Sequence, residues 1–298
     1  MILNGREFDI HRADECPIEF PLDVEDRNKK FSYYTGDFGT FDIETTSCIS
    51  EYDADGKYKS GYGYMYIWQF YSRTTGLVMG RTWEEFTYLL NRISNYFHSS
   101  KPYFVIYVHN LSFEFAFMND QLALAGMTGE VFAIRSRKVL TYRLNNRIEV
   151  RCSLKLTGRG LEKYLKDMPA GFEKLVGNLD YRVQRTPLTK LTEQELQYCA
   201  VDVIGLWHSL QLDMQRTRDS VATVPLTITG YVRRDFKNTL KNDKSYTYLL
   251  SRSALTAEQF QIVRKLAKGG DTLASCSQLL WKVHKGVGSF DFKSSYPC

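Results

Sequence analysis

No stretch of this sequence approaches the roughly 18 consecutive apolar residues that a membrane helix requires. Its opening, "MILNGREFDIHRADEC", is charged within six residues and lacks the apolar core of a secretion signal. Six cysteines stand at positions 16, 48, 152, 199, 276 and 298, and none forms a C-x-x-C pair. That spacing supports neither a zinc site nor a disulfide framework, so reduced thiols are expected. Internal repeats and low-complexity tracts are lacking as well. Together these absences predict a soluble, intracellular globular chain. At 298 residues, 43% hydrophobic and 24% charged, it is long enough for a sizeable core and for more than one compact unit.

The net charge of +5 is modest but unevenly spread. Between Arg135 and Lys166 there are ten Lys and Arg against two Glu. Such a run is either a solvated face or an electrostatic footprint for a polyanion, most often nucleic acid. The twenty tyrosines offer rings on which bases stack.

Local patterns predict the elements. Residues 1–36 read as an extended or irregular lead-in. Strands are expected over 38–46, 62–72 and 76–80, the last two forming a hairpin through "RTTG". Thr82 and Glu85 form a capping box at the head of the helix "WEEFTYLLNRISNYF". The apolar run "YFVIYVHN" reads as a buried strand that feeds the helix "LSFEFAFMNDQLALAG". Two strands over about 131–144 and 147–152 turn at Asn145-Asn146, and a short helix is expected near 158–166. A second capping box, Thr192 with Glu195, opens a long helix to Thr217. Pro225 suggests a boundary near 220. Strands first, then helix, strand and helix, argue for an α/β mixed sheet flanked by helices.

Within that frame "GTFDIETTS" places Asp42 and Glu44 two residues apart on a strand, and therefore on one face. Alone, the pair fits a half-exposed edge strand. Asn110 ends the next buried strand, with Phe113 and Glu114 in the first turn that follows. In "YCAVD", Tyr198 and Asp202 are four apart on a helix and share a face. Four carboxylates gathered at one point cannot all stay ionised without positive charge among them. Hard divalent ions bound through oxygen, magnesium or manganese, are the natural partners, and two of them would serve a phosphodiester displacement.

This ordered set resembles the DEDD-type 3′–5′ exonuclease domain, which has an RNase H-like fold. "SFDFKSSYPC" is similar to the first palm motif of family B DNA polymerases. "AKGGD", "CSLKL" and "GNLDYRVQRTPLTKLTEQELQYCAVD" extend the likeness to the protein-primed DNA polymerases of small bacteriophages. The resemblance implies a 3′–5′ exonuclease domain over 37–220, preceded by an extension over 1–36 and followed over 221–298 by a linker and an incomplete palm. It implies that Asp42, Glu44, Glu114 and Asp202 hold two divalent ions, Mg2+ or Mn2+, and that Tyr198 positions the attacking water. By the same likeness Thr45, Asn110, Phe113, Ser153, Leu154 and Tyr181 grip the 3′ end of single-stranded DNA. Asp291 would bind a polymerase metal, and Tyr296 would pack under the incoming nucleotide sugar. Partners implied are single-stranded and primer-template DNA and a terminal protein that primes synthesis, for a monomer in the cytoplasm of an infected host cell.

Three departures accompany the likeness. Glu114 stands where the family has Asp, Ala267 where the linker has Tyr, and Val176 where a family Lys falls, leaving Lys174 as its nearest substitute. The sequence stops one residue after Tyr296-Pro297, so the second palm aspartates are missing and polymerisation by this chain alone is not expected. The other reading is a catalytically weak or inactive module that holds DNA or a priming protein.

Overall fold

The computed structural model describes residues 1–21, 24–28, 32–52, 55, 58–97, 102–135, 137–145, 147–175, 183–241 and 243–266. The chain divides into two compact units, Met1–Phe236 and Lys237–Cys298. Among the described residues no helix is long and apolar enough to cross a membrane.

The first unit is built on a mixed sheet. Its strands are β1 (Ile2–Leu3), β2 (Arg6–Glu7), β3 (Ile10–His11), β4 (Val24–Asn28), β5 (Ser32–Tyr52), β6 (Tyr58–Ser72) and β7 (Gly76–Gly80). After α1 (Trp83–Tyr96) come β8 (Tyr103–Val108), α2 (Leu111–Leu124), β9 (Gly129–Ala133), β10 (Val139–Leu144) and β11 (Ile148–Cys152). Helices α3 (Ser153–Thr157), α4 (Leu161–Asp167), α5 (Glu193–Thr217) and α6 (Ile228–Leu240) follow. The strand order is β3-β7-β6-β5-β8-β11-β10-β9, with β4 antiparallel to β5, while β1 and β2 form a separate hairpin. β8 runs parallel to both β5 and β11, and the hairpin pairs β5–β6, β6–β7, β9–β10 and β10–β11 are antiparallel. A mixed sheet flanked by helices, consistent with an RNase H-like fold, is the architecture expected from the order of elements.

Each face of the sheet has its own core. On one, Phe41, Ile43, Phe70, Ile106 and Val108 meet Phe86, Leu89 and Ile93 of α1 and Leu111, Met118 and Leu122 of α2. On the other, Phe38, Val105 and Tyr107 meet Val203, Ile204 and Trp207 of α5. The capping boxes at Thr82 and Thr192 both form, with the Glu85 and Glu195 side chains reciprocating. Two-sided burial suits the continuous apolar run of β8.

Several local expectations are corrected. The described part of residues 1–36, expected to be extended or irregular, is extended in short strands and the start of β5, and it is no mere lead-in, since Ala13, Cys16 and Phe20 are buried in the core beneath α1. The stretch 131–144 is two strands, because Arg137 adopts a left-handed conformation (φ 58°) and Ile134 and Lys138 close a turn with no Gly or Pro to announce it. The short helix expected near 158–166 is α4, and a further helix not expected from the sequence, α3, precedes it and ends at Gly158 (φ 68°). The basic run is not one face either: buried Glu149 takes both Arg143 and Arg151 as partners, and Arg151 also donates to the Val221 carbonyl at 2.8 Å. The second unit contributes α7 (Lys244–Ser253), capped by Asp243, and α8 (Ala257–Leu266). The palm-like tail, with Ala267, Asp291 and Tyr296, lies outside the described residues.

Candidate active site

Alternation along β5 separates its residues by chemistry. Phe41 and Ile43 point into the core beneath α1, where Phe41 stacks on Phe86 at 4.2 Å. Asp42 and Glu44 therefore face the opposite way, toward α5. That helix is fixed to β5 by two hydrogen bonds: Thr40 Oγ1 donates to the Val203 carbonyl at 2.8 Å, and Trp207 Nε1 to the Phe38 carbonyl at 2.9 Å. With α5 so placed, Asp202 meets the strand acids. One carboxylate oxygen from each of Asp42, Glu44 and Asp202 lies within 4.8 Å of the others.

Glu114 arrives from a different connection. Asn110, in the left-handed region at φ 74°, turns β8 directly into α2 and delivers Glu114, 3% exposed, in the first helical turn. Its carboxyl stands near enough to Asp42 to feel that residue's charge. Glu114 is not one of the three residues whose oxygens converge.

Among the described residues, four carboxylates share this space with one neighbouring ammonium, and the Arg185 guanidinium also acts on Glu44. Lys174 Nζ sits 2.9 Å from Asp202 Oδ2 and 5.6 Å from the centre of the Tyr198 ring. Burial pushes the Asp42 carboxyl up to about 7, helped by the charge of Asp202 and opposed by Lys174. Burial also raises Glu44 and Glu114 well above the usual carboxylate range, with repulsion from Asp42 next in importance for both. Asp202 is raised by burial, although Lys174 pulls it down. Burial would lower Lys174, but its pairing with Asp202 and the charges of Asp42 and Glu44 outweigh that and raise it. Glu114 Oε2 and Asp202 Oδ1 are buried without a hydrogen-bond partner. Crowded, oxygen-only, under-neutralised and partly unsatisfied, this donor set fits a hard divalent cation.

The remaining residues singled out in the sequence differ in burial and in partners. Thr45 is half-buried at a register shift of the β5–β6 ladder immediately after Glu44. Asn110 is exposed, and Phe113 is 43% exposed with its ring 5.1 Å from that of Phe117. Ser153 is fully buried, its hydroxyl bonded to the Val108 carbonyl and to His109 Nδ1. Leu154 is half-buried against the core, and Tyr198 is buried beside Tyr66, Ile67 and Leu191. Tyr181 and Val176 lie outside the described residues.

Sequence reading passed over three residues near the cluster. Gln69 stands opposite Asp42 in the ladder and donates to its Oδ2 at 2.8 Å. A lone amide in the apolar "YIWQFY" was the available signal. Arg185 donates its backbone N–H to Thr46 Oγ1 while its guanidinium pairs with Glu195. Arg81 ties β6 to the segment before α5, donating to the carbonyls of Tyr66, Thr186 and Thr189.

No protein-family model matches the chain, and no curated protein matches it. Solved structures do. The chain superposes on phi29 DNA polymerase complexed with primer-template DNA (post-translocation binary complex) with a TM-score of 0.59 and 18% identity, covering 81% of this chain and 41% of that one. Against the complex with single-stranded DNA the TM-score is 0.53 at 18% identity, covering 70% and 36%. Against the orthorhombic crystal form it is 0.54 at 17% identity, covering 70% and 35%. The likeness is one of fold, and this chain spans about two-fifths or less of the length of those proteins.

Proposed function

We propose that this chain is the 3′–5′ exonuclease part of a DNA-directed DNA polymerase of the protein-primed family B type. It would remove nucleoside monophosphates from single-stranded 3′ ends as proofreading. The observation that carries the reading is the convergence of Asp42, Glu44 and Asp202, with buried Glu114 close by, on a sheet whose fold is similar to that of phi29 DNA polymerase.

In this reading Asp42, Glu44 and Asp202, with Glu114 behind Asp42, hold two divalent ions, Mg2+ or Mn2+. When bound, such ions lower the pKa of a water and neutralise charge on the attacking and leaving oxygens. Lys174 keeps the Asp202 carboxylate ionised and in place through its 2.9 Å contact. Tyr198, one turn from Asp202, is suited to orient the attacking water. Phe113 offers an exposed ring for a terminal base. Asn110, Thr45, Leu154 and Tyr181 complete the grip on the strand, and Ser153, itself buried, acts by holding His109 and the end of β8. Domain limits of 37–220 for the exonuclease and 221–298 for the start of a palm, with Asp291 and Tyr296 in polymerase roles, belong to this proposal. So do primer-template DNA, a terminal protein, a monomeric state and the host cytoplasm.

A second reading, a DNA-holding module with weakened catalysis, is favoured by the position of Glu114 outside the converging three. One experiment separates the two. Incubated with 3′-labelled single-stranded DNA and Mg2+ or Mn2+, the protein should release labelled mononucleotide, and Asp42→Ala with Glu44→Ala should release none. Salt-sensitive DNA binding without release would support the second reading; equal release by the double variant would refute the site.

A further inference from the structure

Beyond the register shift after Glu44, β5 and β6 continue as a two-stranded ribbon to Tyr52 and Tyr58. The pairing of β5 with β8 ends at Phe41, and that of β6 with β7 at Trp68, so among the described residues no third strand accompanies the ribbon. Its register places Tyr64 opposite Thr46 and Tyr62 opposite Cys48. Even-numbered residues of β5 share the face of Asp42 and Glu44, so their partners Tyr64 and Tyr62 stand on that face too. At about 3.3 Å per residue, Tyr64 lies roughly 7 Å and Tyr62 roughly 13 Å along the strand from Glu44.

The opposite face of the ribbon is braced. The Phe117 ring lies against Gly63, where an added Cβ would meet it at 3.5 Å, so the glycine between the two tyrosines lets α2 support the ribbon from behind. Tyr62 is 64% exposed, and the two tyrosine rings are inclined by only 30° with centres 6.5 Å apart. That separation is within the range of offset aromatic pairs, so the two rings present one extended aromatic surface.

We propose that Tyr62 and Tyr64 form a second nucleic-acid subsite, a stacking platform for bases of the single strand upstream of the terminal nucleotide. The proposal rests on the exonuclease reading for the direction of the strand. The occupant is a single strand rather than a protein: the platform is continuous with a cluster suited to phosphodiester chemistry, and a braced ribbon presenting parallel rings binds bases without regard to sequence.

Fluorescence anisotropy with labelled (dT)12 and with (dT)3, in calcium so that the strand is not consumed, tests it. Tyr62→Ala with Tyr64→Ala should weaken (dT)12 binding roughly 10–100-fold and (dT)3 binding clearly less, because at about 3.4 Å per nucleotide the short strand reaches Tyr64 but not Tyr62. Tyr62→Phe with Tyr64→Phe should keep wild-type affinity, since the ring alone is required. Tyr62→Ala singly, at an exposed position, gives an intermediate loss even if the double variant folds poorly. Unchanged (dT)12 affinity in the alanine variants, as expected if the ribbon meets a protein instead, overturns the platform while leaving the exonuclease reading intact. Equal losses for both lengths also overturn it. A wild-type protein that binds neither oligonucleotide overturns both.

Discussion

Replacing Asp42 by Asn should make the metal-free protein more stable while abolishing its activity. The Asp42 carboxyl is raised from 3.8 to about 7, mainly by burial and then by the charge of Asp202. An unfolded chain releases this proton near 3.8, whereas the folded chain retains it to about 7. Between those values the native state binds more protons than the unfolded state, so stability falls as pH rises through the window. At 1.36 kcal/mol per pH unit, the penalty above pH 7 approaches about 4 kcal/mol, and at pH 5 it is about 2 kcal/mol. Asparagine keeps an oxygen for the Gln69 amide, which sits 2.8 Å from Asp42 Oδ2, and carries no charge to desolvate.

The assay is thermal unfolding of both proteins in EDTA from pH 5 to pH 8. For a unit of this size 1 kcal/mol moves Tm by roughly 2–4 °C. The Asn protein should therefore melt about 5–15 °C higher at pH 7.5, with the gap shrinking toward pH 5. His109 and His208, both pushed down to about 4 chiefly by burial, stay neutral in the folded protein over this range and take up protons only on unfolding as pH falls below about 6.5; this alters the absolute curves but cancels in the difference. Adding Mn2+ should raise wild-type Tm and leave the Asn protein little changed. A metal-free Asn protein that melts below wild type at pH 7.5, or a gap independent of pH, would refute the picture of carboxylates crowded in a poorly solvated site.

Two further outcomes follow from the charged groups. Lys174→Ala removes the ammonium 2.9 Å from Asp202, so kcat for mononucleotide release should fall by about 10–100-fold with KM for a trinucleotide nearly unchanged; a purely KM effect would place Lys174 in substrate binding. Arg151→Met leaves Glu149 buried with Arg143 as its remaining charged partner, beside the Tyr34 hydroxyl, and frees the Val221 carbonyl, which should cost about 3 kcal/mol in urea unfolding at pH 7. Although burial opposes it, Arg151 and Arg143 hold Glu149 at about 2, so its contribution should be present above pH 4.5 and disappear as pH falls toward 2.

The parts of the fold legible in the sequence are those fixed by neighbours in the chain. The β6–β7 hairpin, α1 and α5 are set by turn residues and capping boxes a few positions apart, and they occur where those signals stand. The break between β9 and β10 was illegible because the residue that takes the left-handed conformation is Arg137, in a stretch whose composition still favours extension. The two-residue strand β3 was illegible for another reason: Ile10 and His11 are extended through pairing with Leu77 and Val78, far along the chain. The site divides in the same way. The alternation of β5 assigns Asp42 and Glu44 to one face, and the turn of α5 assigns Tyr198 and Asp202 to another, but neither period says that the two faces meet. That depends on contacts such as Thr40 to the Val203 carbonyl and Trp207 to the Phe38 carbonyl, which join residues more than 160 positions apart. Gln69 shows what is lost without them: its role beside Asp42 needs the ladder register, since a slip of one residue would turn the amide into the apolar core.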